Sequence, residues 1–226
     1  MGVRRAAALI HLAGEPGRRR VFAFVGGGSI LYAGDAHHPE MHQLLHVDLA
    51  IRAWVVLHRL PFLTGGMWGL SAIGRGGFGW LVIAAVLTVM KRLRPREWAQ
   101  LALVFLVTSA ITNLVLQPVI GRERPFVRSL DVAVIGDRPT SSSFPSGHAA
   151  NAFAAAVVLS RFASAPALAW WVLASAIAYS RIYLGVHYPS DVVGGALVGI
   201  ACAVTTLAMV RRSTRASIPA FPRRSG

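Results

Sequence analysis

The sequence is poor in cysteine and in acidic residues. Cys202 is the only cysteine among 226 residues, which excludes an intrachain disulfide and a cysteine-based metal site. Nine acidic residues stand against 23 lysines and arginines, and the formal net charge is +14. Only 14% of the residues are charged, whereas a typical soluble domain has about a quarter. This shortage of charge argues against a soluble fold.

Hydrophobic residues are abundant instead, at 54% of the chain, and long stretches between the charge clusters carry no charge. Such stretches are typical of transmembrane helices, which need about 20 apolar residues. The basic residues lie at the ends of these stretches and in the tails, so they indicate membrane topology and contact with anionic headgroups. We therefore expect an all-α, polytopic transmembrane helix bundle that binds membrane lipids and no nucleic acid.

The charge pattern divides the chain into a basic tail at residues 1–20, a membrane domain at residues 21–210 and a basic tail at residues 211–226. Within the domain we expect an interfacial helix followed by five spans. They are Val47–Leu60 for the interfacial helix, a span within Phe62–Met90, and spans at Trp98–Gly121, Ser146–Ala163, Ala167–Ser180 and Val192–Val210. Arg75 interrupts the first of these spans and is interpreted as an interfacial charge or a headgroup contact.

One further apolar run, Val21–Ala33, is only 13 residues long and contains three consecutive glycines. It is short for a span, and it also has the basic residues before it and the small residues after it that a signal peptide has. We favour a short first span, because it places the basic N-terminus in the cytosol. The bundle then has six helices, or five without this span.

The basic loop Lys91–Arg96 sets the orientation, since positively charged loops remain in the cytosol. Alternation then places residues 122–145 and 181–191 outside, and residues 161–166 and the C-terminal tail inside. The outer loop nevertheless carries four arginines, and a bound anion would explain positive charge on that side. We expect a multi-pass plasma-membrane protein with a site on the extracytoplasmic side.

Three polar segments lie at span ends on this outer side: Arg122–Pro125, Pro145–His148 and Ser180–Asp191. In the second segment Ser146 is a good N-cap. Gly147 permits close approach, and the free backbone N–H groups of the first helical turn form an anion site. His148 stands in the same turn, where it could donate a proton.

His187 and Asp191 are four residues apart near a helix start. At this spacing Asp191 can bind one imidazole nitrogen and leave the other with a free lone pair, as a nucleophile or a base requires. Arg124 and Arg181 supply planar guanidinium groups that suit phosphate oxygens. Together with His148 these residues describe a phosphoryl-transfer site. Arginines and backbone amides supply its charge complement, so we expect no metal and no other cofactor.

The three segments resemble the signature of the type 2 phosphatidic acid phosphatase (PAP2) superfamily. That signature is Lys, six residues and Arg-Pro, then Pro-Ser-Gly-His, then Ser-Arg, five residues, His, three residues and Asp. The second and third motifs match in full at Pro145–His148 and Ser180–Asp191, and the first matches at Arg124 and Pro125. The resemblance extends over about residues 45–210 and implies a bundle of the PAP2 and haloperoxidase type.

The resemblance also implies a role for each matching residue. His187 would be the nucleophile of a phosphohistidine intermediate, Asp191 would orient it, and His148 would be the general acid for the leaving group. The residues implied to bind the phosphate are Arg124, Arg181, Ser146, Gly147 and, at the position of the motif lysine, Gln117.

Gln117 is the one departure from the family pattern. A neutral amide donates a hydrogen bond but brings no charge, and losing a charge-assisted contact costs about 1.5–3 kcal/mol when nothing compensates. Arg122 is a candidate to compensate. The substitution also leaves open a non-enzymatic alternative, a lipid-phosphate binder or transporter.

The leading expectation is a metal-independent membrane lipid phosphatase. Its candidate substrates are polyprenyl pyrophosphate, phosphatidate and phosphatidylglycerol phosphate. Vanadium-dependent haloperoxidases share the site architecture in the wider superfamily, but the hydrophobic spans argue against that activity. The sequence does not indicate an oligomeric state.

Overall fold

The computed structural model describes residues 20–25, 29–35, 39–128, 134–164 and 166–216. Its first elements are two strands, β1 (Arg20–Val25) and β2 (Ser29–Asp35), which pair antiparallel. The prediction of a short helical span at residues 21–33 is therefore wrong. The run is too short to cross a bilayer as a helix, glycines divide it, and its aromatic and β-branched residues favour strands.

Nine α-helical segments follow within the described ranges. They are α1 (Pro39–Leu57), α2 (Pro61–Gly74), α3 (Phe78–Val89), α4 (Pro95–Ser109), α5 (Gln117–Ile120), α6 (Pro125–Arg128), α7 (Gly147–Phe162), α8 (Ala167–Tyr183) and α9 (Pro189–Ala216). A π-helical segment, Ala110–Leu116, joins α4 to α5 in one continuous helix. The predicted transmembrane helix bundle is confirmed, with α1 as the helix before the bundle.

The predicted boundaries of the later helices agree with α7, α8 and α9 to within a few residues. The interruption at Arg75 is also seen, as a 3₁₀ turn over Arg75–Gly77 that separates α2 from α3. Gly76 and Gly77 have φ angles of 59° and 77°, which glycine adopts at little cost. Helix α9 continues to Ala216, six residues into the segment that the sequence assigns to the C-terminal tail.

Three helical stretches among the described residues are long and apolar enough to cross a membrane: Pro61–Val89, Pro95–Val127 and Pro189–Thr214. Helices α7 and α8 have 16 and 17 residues. At about 1.5 Å per residue they are slightly shorter than the hydrocarbon layer. Large apolar side chains such as Leu106, Leu114 and Val119 are exposed on the outside of the bundle. The protein is a multi-pass membrane protein.

Helix α7 lies at the centre of the bundle and packs against α4, α8 and α9. Six of its alanines are completely buried: Ala149, Ala150, Ala152, Ala154, Ala155 and Ala156. Two glycines of α9 lie directly against its backbone, since a Cβ added at Gly199 would collide with the Ala150 carbonyl and one at Gly195 with the Ser146 carbonyl. Small residues permit this close approach between membrane helices, and here it fixes the N-terminus of α7 against α9.

We predict that Gly199→Ala destabilises the bundle by about 1–3 kcal/mol, because the new methyl group has no room beside α7. Gly66→Ala is the matched control, since an added Cβ at that helical glycine meets nothing within 4 Å. The control gains the same helix propensity without a clash, so its stability should be unchanged or slightly raised. Thermal unfolding of the purified variants in detergent measures both, and equal melting temperatures would contradict the close contact.

Candidate active site

The structure brings the three polar segments together at one end of the bundle. The backbone N–H of Ser143 donates to the Arg122 carbonyl at 2.7 Å, and that of Ser146 donates to the Asp191 carbonyl at 2.9 Å. The Gln117 side chain donates to the Pro145 carbonyl at 3.1 Å. The loop before α7 is therefore hydrogen-bonded both to the end of the α4–α5 helix and to the first turn of α9.

His187 lies in the loop between α8 and α9 and is 2% exposed. Its Nδ1 is 3.4 Å from Asp191 Oδ2, and its Nε2 is 3.2 Å from Arg124 Nη1. Because a guanidinium group only donates hydrogen bonds, Nε2 must accept and Nδ1 must carry the proton. This tautomer places a lone pair on Nε2, on the side of the ring that faces Arg124.

Burial lowers the pKa of His187 to about 4, and the charges of Arg124 and Arg181 add to the shift while Asp191 opposes it. The imidazole is therefore neutral near pH 7. A neutral imidazole retains the Nε2 lone pair, which protonation would remove. The ring is thus held in the form that can attack phosphorus.

Asp191 is completely buried at the start of α9. Its Oδ2 accepts from the Ser143 hydroxyl and, at 2.9 Å, from the Tyr188 backbone N–H. Its Oδ1 accepts from Arg122 Nη1 at 2.6 Å. With donors on both oxygens, the carboxylate has a fixed orientation toward His187.

Arg122 is held by two carboxylates and one aromatic ring. Besides Asp191 it binds Asp48 of α1, at 2.7 Å through Nη2, and its guanidinium lies 4.3 Å above the centre of the Tyr188 ring. Asp48 is 2% exposed and also accepts from the Ser190 backbone N–H at 2.8 Å. Because the Arg122 guanidinium is already paired with Asp191 and Asp48, it does not replace the missing motif lysine.

Arg124 is anchored by main-chain oxygens. It donates to the carbonyls of Ser141, Ser142 and Val186 at distances of 2.7, 3.2 and 3.0 Å. These bonds hold the guanidinium beside His187 Nε2. The planar group therefore stands where it can bind the oxygens of a phosphate under attack.

Two buried polar atoms near this point have no partner among the described residues, the hydroxyl of Ser146 and Nε of Arg181. Ser146 occupies the predicted N-cap position of α7, but its side chain makes no capping bond. Arg181 does bind the Ser71 hydroxyl through Nη1. An unsatisfied buried polar group costs about 1–3 kcal/mol, and each of the two atoms can donate a hydrogen bond to an oxyanion.

His148 stands in the first turn of α7 and, with Arg181, lines a cavity of about 240 Å³. Gly74 of α2 makes room for it, since an added Cβ would lie 3.1 Å from His148 Cδ2. Gly147 lies beside the π-helical segment, where a Cβ would be 3.3 Å from Asn113 Oδ1. The first-turn N–H groups of α7 have no intrahelical acceptor, so they are positioned to bind an anion.

Gln117 is 6% exposed. Its amide donor is used on the Pro145 carbonyl, one residue before Ser146. It thus holds the turn that presents Ser146 and Gly147. The side chain supports the anion site through this backbone bond and adds no charge to it.

Residues of this network that sequence reasoning missed include Asp48, Ser71 and Ser143. Each lies far along the chain from its partner, so no local spacing reveals the contact. The sequence contains only a weak indication for one of them, since Asp48 is one of the polar residues of the predicted interfacial helix.

Comparisons with known proteins identify relatives of this chain. The family model of the PAP2 superfamily matches residues 97–215. A decaprenylphosphoryl-5-phosphoribose phosphatase of Mycobacterium tuberculosis is 39% identical over 58% of this chain and 71% of its own length. An undecaprenyl-diphosphatase of Sulfolobus acidocaldarius is 32% identical over 63% of this chain and 68% of its own.

A solved structure is similar throughout the bundle. The crystal structure of a transmembrane PAP2 type phosphatidylglycerolphosphate phosphatase from Bacillus subtilis superposes with a TM-score of 0.61. It is 27% identical in sequence and covers 82% of this chain and 90% of its own.

The contact between Asp48 and Arg122 gives a test of the network. We predict that Asp48→Asn and Arg122→Gln each lower the free energy of unfolding by about 1.5–3 kcal/mol, because each removes a charge-assisted bond from a largely buried partner. The double variant should lose less than the sum, since the second change removes a group that has already lost its partner. Chemical unfolding in detergent measures the cycle, and strict additivity would show that the pair is not coupled.

Proposed function

Since this chain belongs to the PAP2 superfamily and is a phosphatase, we propose that it hydrolyses a lipid phosphomonoester or diphosphate through a phosphohistidine intermediate, without a metal. Its relatives are lipid phosphatases. Candidate substrates are polyprenyl diphosphate, phosphatidate and phosphatidylglycerol phosphate. The observation that carries the proposal is the buried, neutral His187, whose Nε2 lone pair faces the anchored Arg124.

The first step is attack by His187. Its Nε2 lone pair forms a bond to phosphorus, while the bond between phosphorus and the leaving oxygen breaks. Asp191 holds the Nδ1 proton and stabilises the positive charge that develops on the ring. His148 gives its proton to the leaving oxygen, and it must therefore be protonated before this step.

The second step releases inorganic phosphate. His148, now neutral, takes a proton from water, and the resulting hydroxide attacks phosphorus while the bond to Nε2 breaks. In both steps Arg124, Arg181, Ser146 and the Gly147 amide bind the equatorial oxygens. The two unpartnered buried atoms, Ser146 Oγ and Arg181 Nε, support this assignment.

The requirement of the leaving group for a proton gives the sharpest test of the two histidine roles. We predict that His187→Ala abolishes phosphate release from every substrate, because no nucleophile remains. His148→Ala should lose about 10²–10⁴-fold on a lipid phosphate, whose alkoxide leaving group needs a proton. In the first turnover it should lose much less on p-nitrophenyl phosphate, whose phenolate leaves without a proton, whereas the second step slows on both substrates. Phosphate release in detergent with chelator present measures the loss in His187→Ala. Rapid-mixing measurement of leaving-group release in the first turnover isolates the first step of His148→Ala, and equal losses there on the two substrates would remove His148 from the role of acid.

We further propose that the site faces the extracytoplasmic side of the plasma membrane. Support comes from the basic loop Lys91–Arg96, which joins α3 to α4 at the other end of these helices from Arg75 and Gln117.

Single cysteines introduced into a Cys202→Ala background test this orientation. Thr140 and Arg92 are both exposed and lie on the two sides. An impermeant maleimide applied to intact cells should label a cysteine at position 140 and not one at position 92. The reverse pattern would place the site in the cytosol.

A further inference from the structure

The four arginines at the site differ in how fully their donors are used. Arg122 is paired with two carboxylates, and Arg124 is bound by three carbonyls and the Ser141 hydroxyl. Arg181 and Arg75, in contrast, have little to neutralise them. Arg181 has the Ser71 hydroxyl and an unpartnered Nε.

Arg75 has one exposed ion pair, 3.2 Å from Asp137, and the two side chains are 64% and 82% exposed. An ion pair this exposed contributes little to stability, so a more highly charged anion can displace the carboxylate. Arg75 lines the same cavity as His148 and Arg181. The available positive charge is therefore concentrated on the side of the site where His148 stands.

That side contains the cavity of about 240 Å³. Helix α2 and the loop at residues 134–139 form its walls, and the backbone N–H of Ile135 ties this loop to the Leu184 carbonyl at 3.1 Å. Its polar and aromatic lining residues are Trp68, Ser71, Arg75, Asp137, His148 and Arg181. Under the proposed function His148 protonates the leaving oxygen, so the leaving group must occupy the space beside it.

The chemistry of this lining selects among leaving groups. Diacylglycerol, released from phosphatidate, carries no charge for Arg75 to bind. A leaving group that retains a phosphate or a phosphodiester offers oxygens to a guanidinium group, which binds them strongly. Arg75 would thus add a charged contact to the substrate at a site where Gln117 contributes none.

We infer that this cavity is a leaving-group pocket in which Arg75 recognises a second phosphate or phosphodiester, so that lipids with an anionic leaving group are the preferred substrates. The inference rests on the proposed function, because it assigns the cavity to the leaving group through His148. It adds a residue, Arg75, outside the three sequence motifs.

Three substrates and two arginine variants test this inference. Phosphatidate has an uncharged leaving group, polyprenyl diphosphate leaves a phosphate beside the broken bond, and phosphatidylglycerol phosphate leaves a phosphodiester farther away. For Arg75→Gln we expect kcat/KM on one or both anionic substrates, relative to phosphatidate, to fall about tenfold, as expected for one lost charge-assisted contact. The substrate that is affected identifies whether the adjacent phosphate or the distant phosphodiester is bound.

Arg138→Gln is the matched control, since Arg138 lies next to Asp137 in the same loop but does not line the cavity. Arg138→Gln should leave the ratio of kcat/KM on the anionic substrates to kcat/KM on phosphatidate unchanged. Asp137→Asn releases Arg75 from its partner, so the ratio should stay the same or rise.

Two outcomes would overturn the inference: an equal loss on all three substrates, or an unchanged ratio in Arg75→Gln. Failure of the proposed function is visible separately, because the wild type would then release phosphate from none of the three lipids.

Discussion

Asp191 connects the three polar segments that form the site. Its side chain binds Ser143 from the loop before α7, Arg122 from the end of the α4–α5 helix and the backbone of Tyr188, and it faces His187. Its carbonyl accepts the Ser146 backbone N–H. A buried charge that lost these donors would cost several kcal/mol, so the segments that supply them are held together. The conformation of the three loops and the orientation of the imidazole therefore depend on the same interactions.

The distribution of charge follows from this arrangement. Asp191 and Asp48 neutralise Arg122 and bind it into the scaffold, whereas Arg124 is placed by main-chain carbonyls that hold it without cancelling its charge. Gln117 is likewise used on a backbone carbonyl. The carboxylates of Asp48 and Asp191 are thus paired with Arg122, and the positive charge of Arg124 is not neutralised by a carboxylate among the described residues. Under the proposed function, this division would let a site without the motif lysine attract phosphate.

Much of the fold could be predicted from the sequence, because charge clusters mark the ends of membrane helices. The helices α7, α8 and α9 and the break at Arg75 follow from that signal alone. The convergence of the three polar segments followed from alternation across the membrane. The direction of the Arg122 side chain could not be predicted, since its partner Asp48 is 74 residues away. The prediction for residues 21–33 was wrong because hydrophobicity alone does not distinguish a short span from strands.

The close contact between α7 and α9 connects the packing of the bundle to the geometry of the reaction. His148, the proposed acid, belongs to α7, while His187, the proposed nucleophile, directly precedes α9. The distance between the two side chains therefore depends on how these two helices meet. Lipid supplies no hydrophobic force to press helices together, and the small residues Gly195 and Gly199 set their separation instead. Gly195 lies against the Ser146 carbonyl, at the level of the anion site, whereas Gly199 lies one turn deeper against Ala150. The two glycines therefore have different roles, since the deeper contact holds the helices together and the shallower one fixes where the turn at Ser146 stands relative to His187.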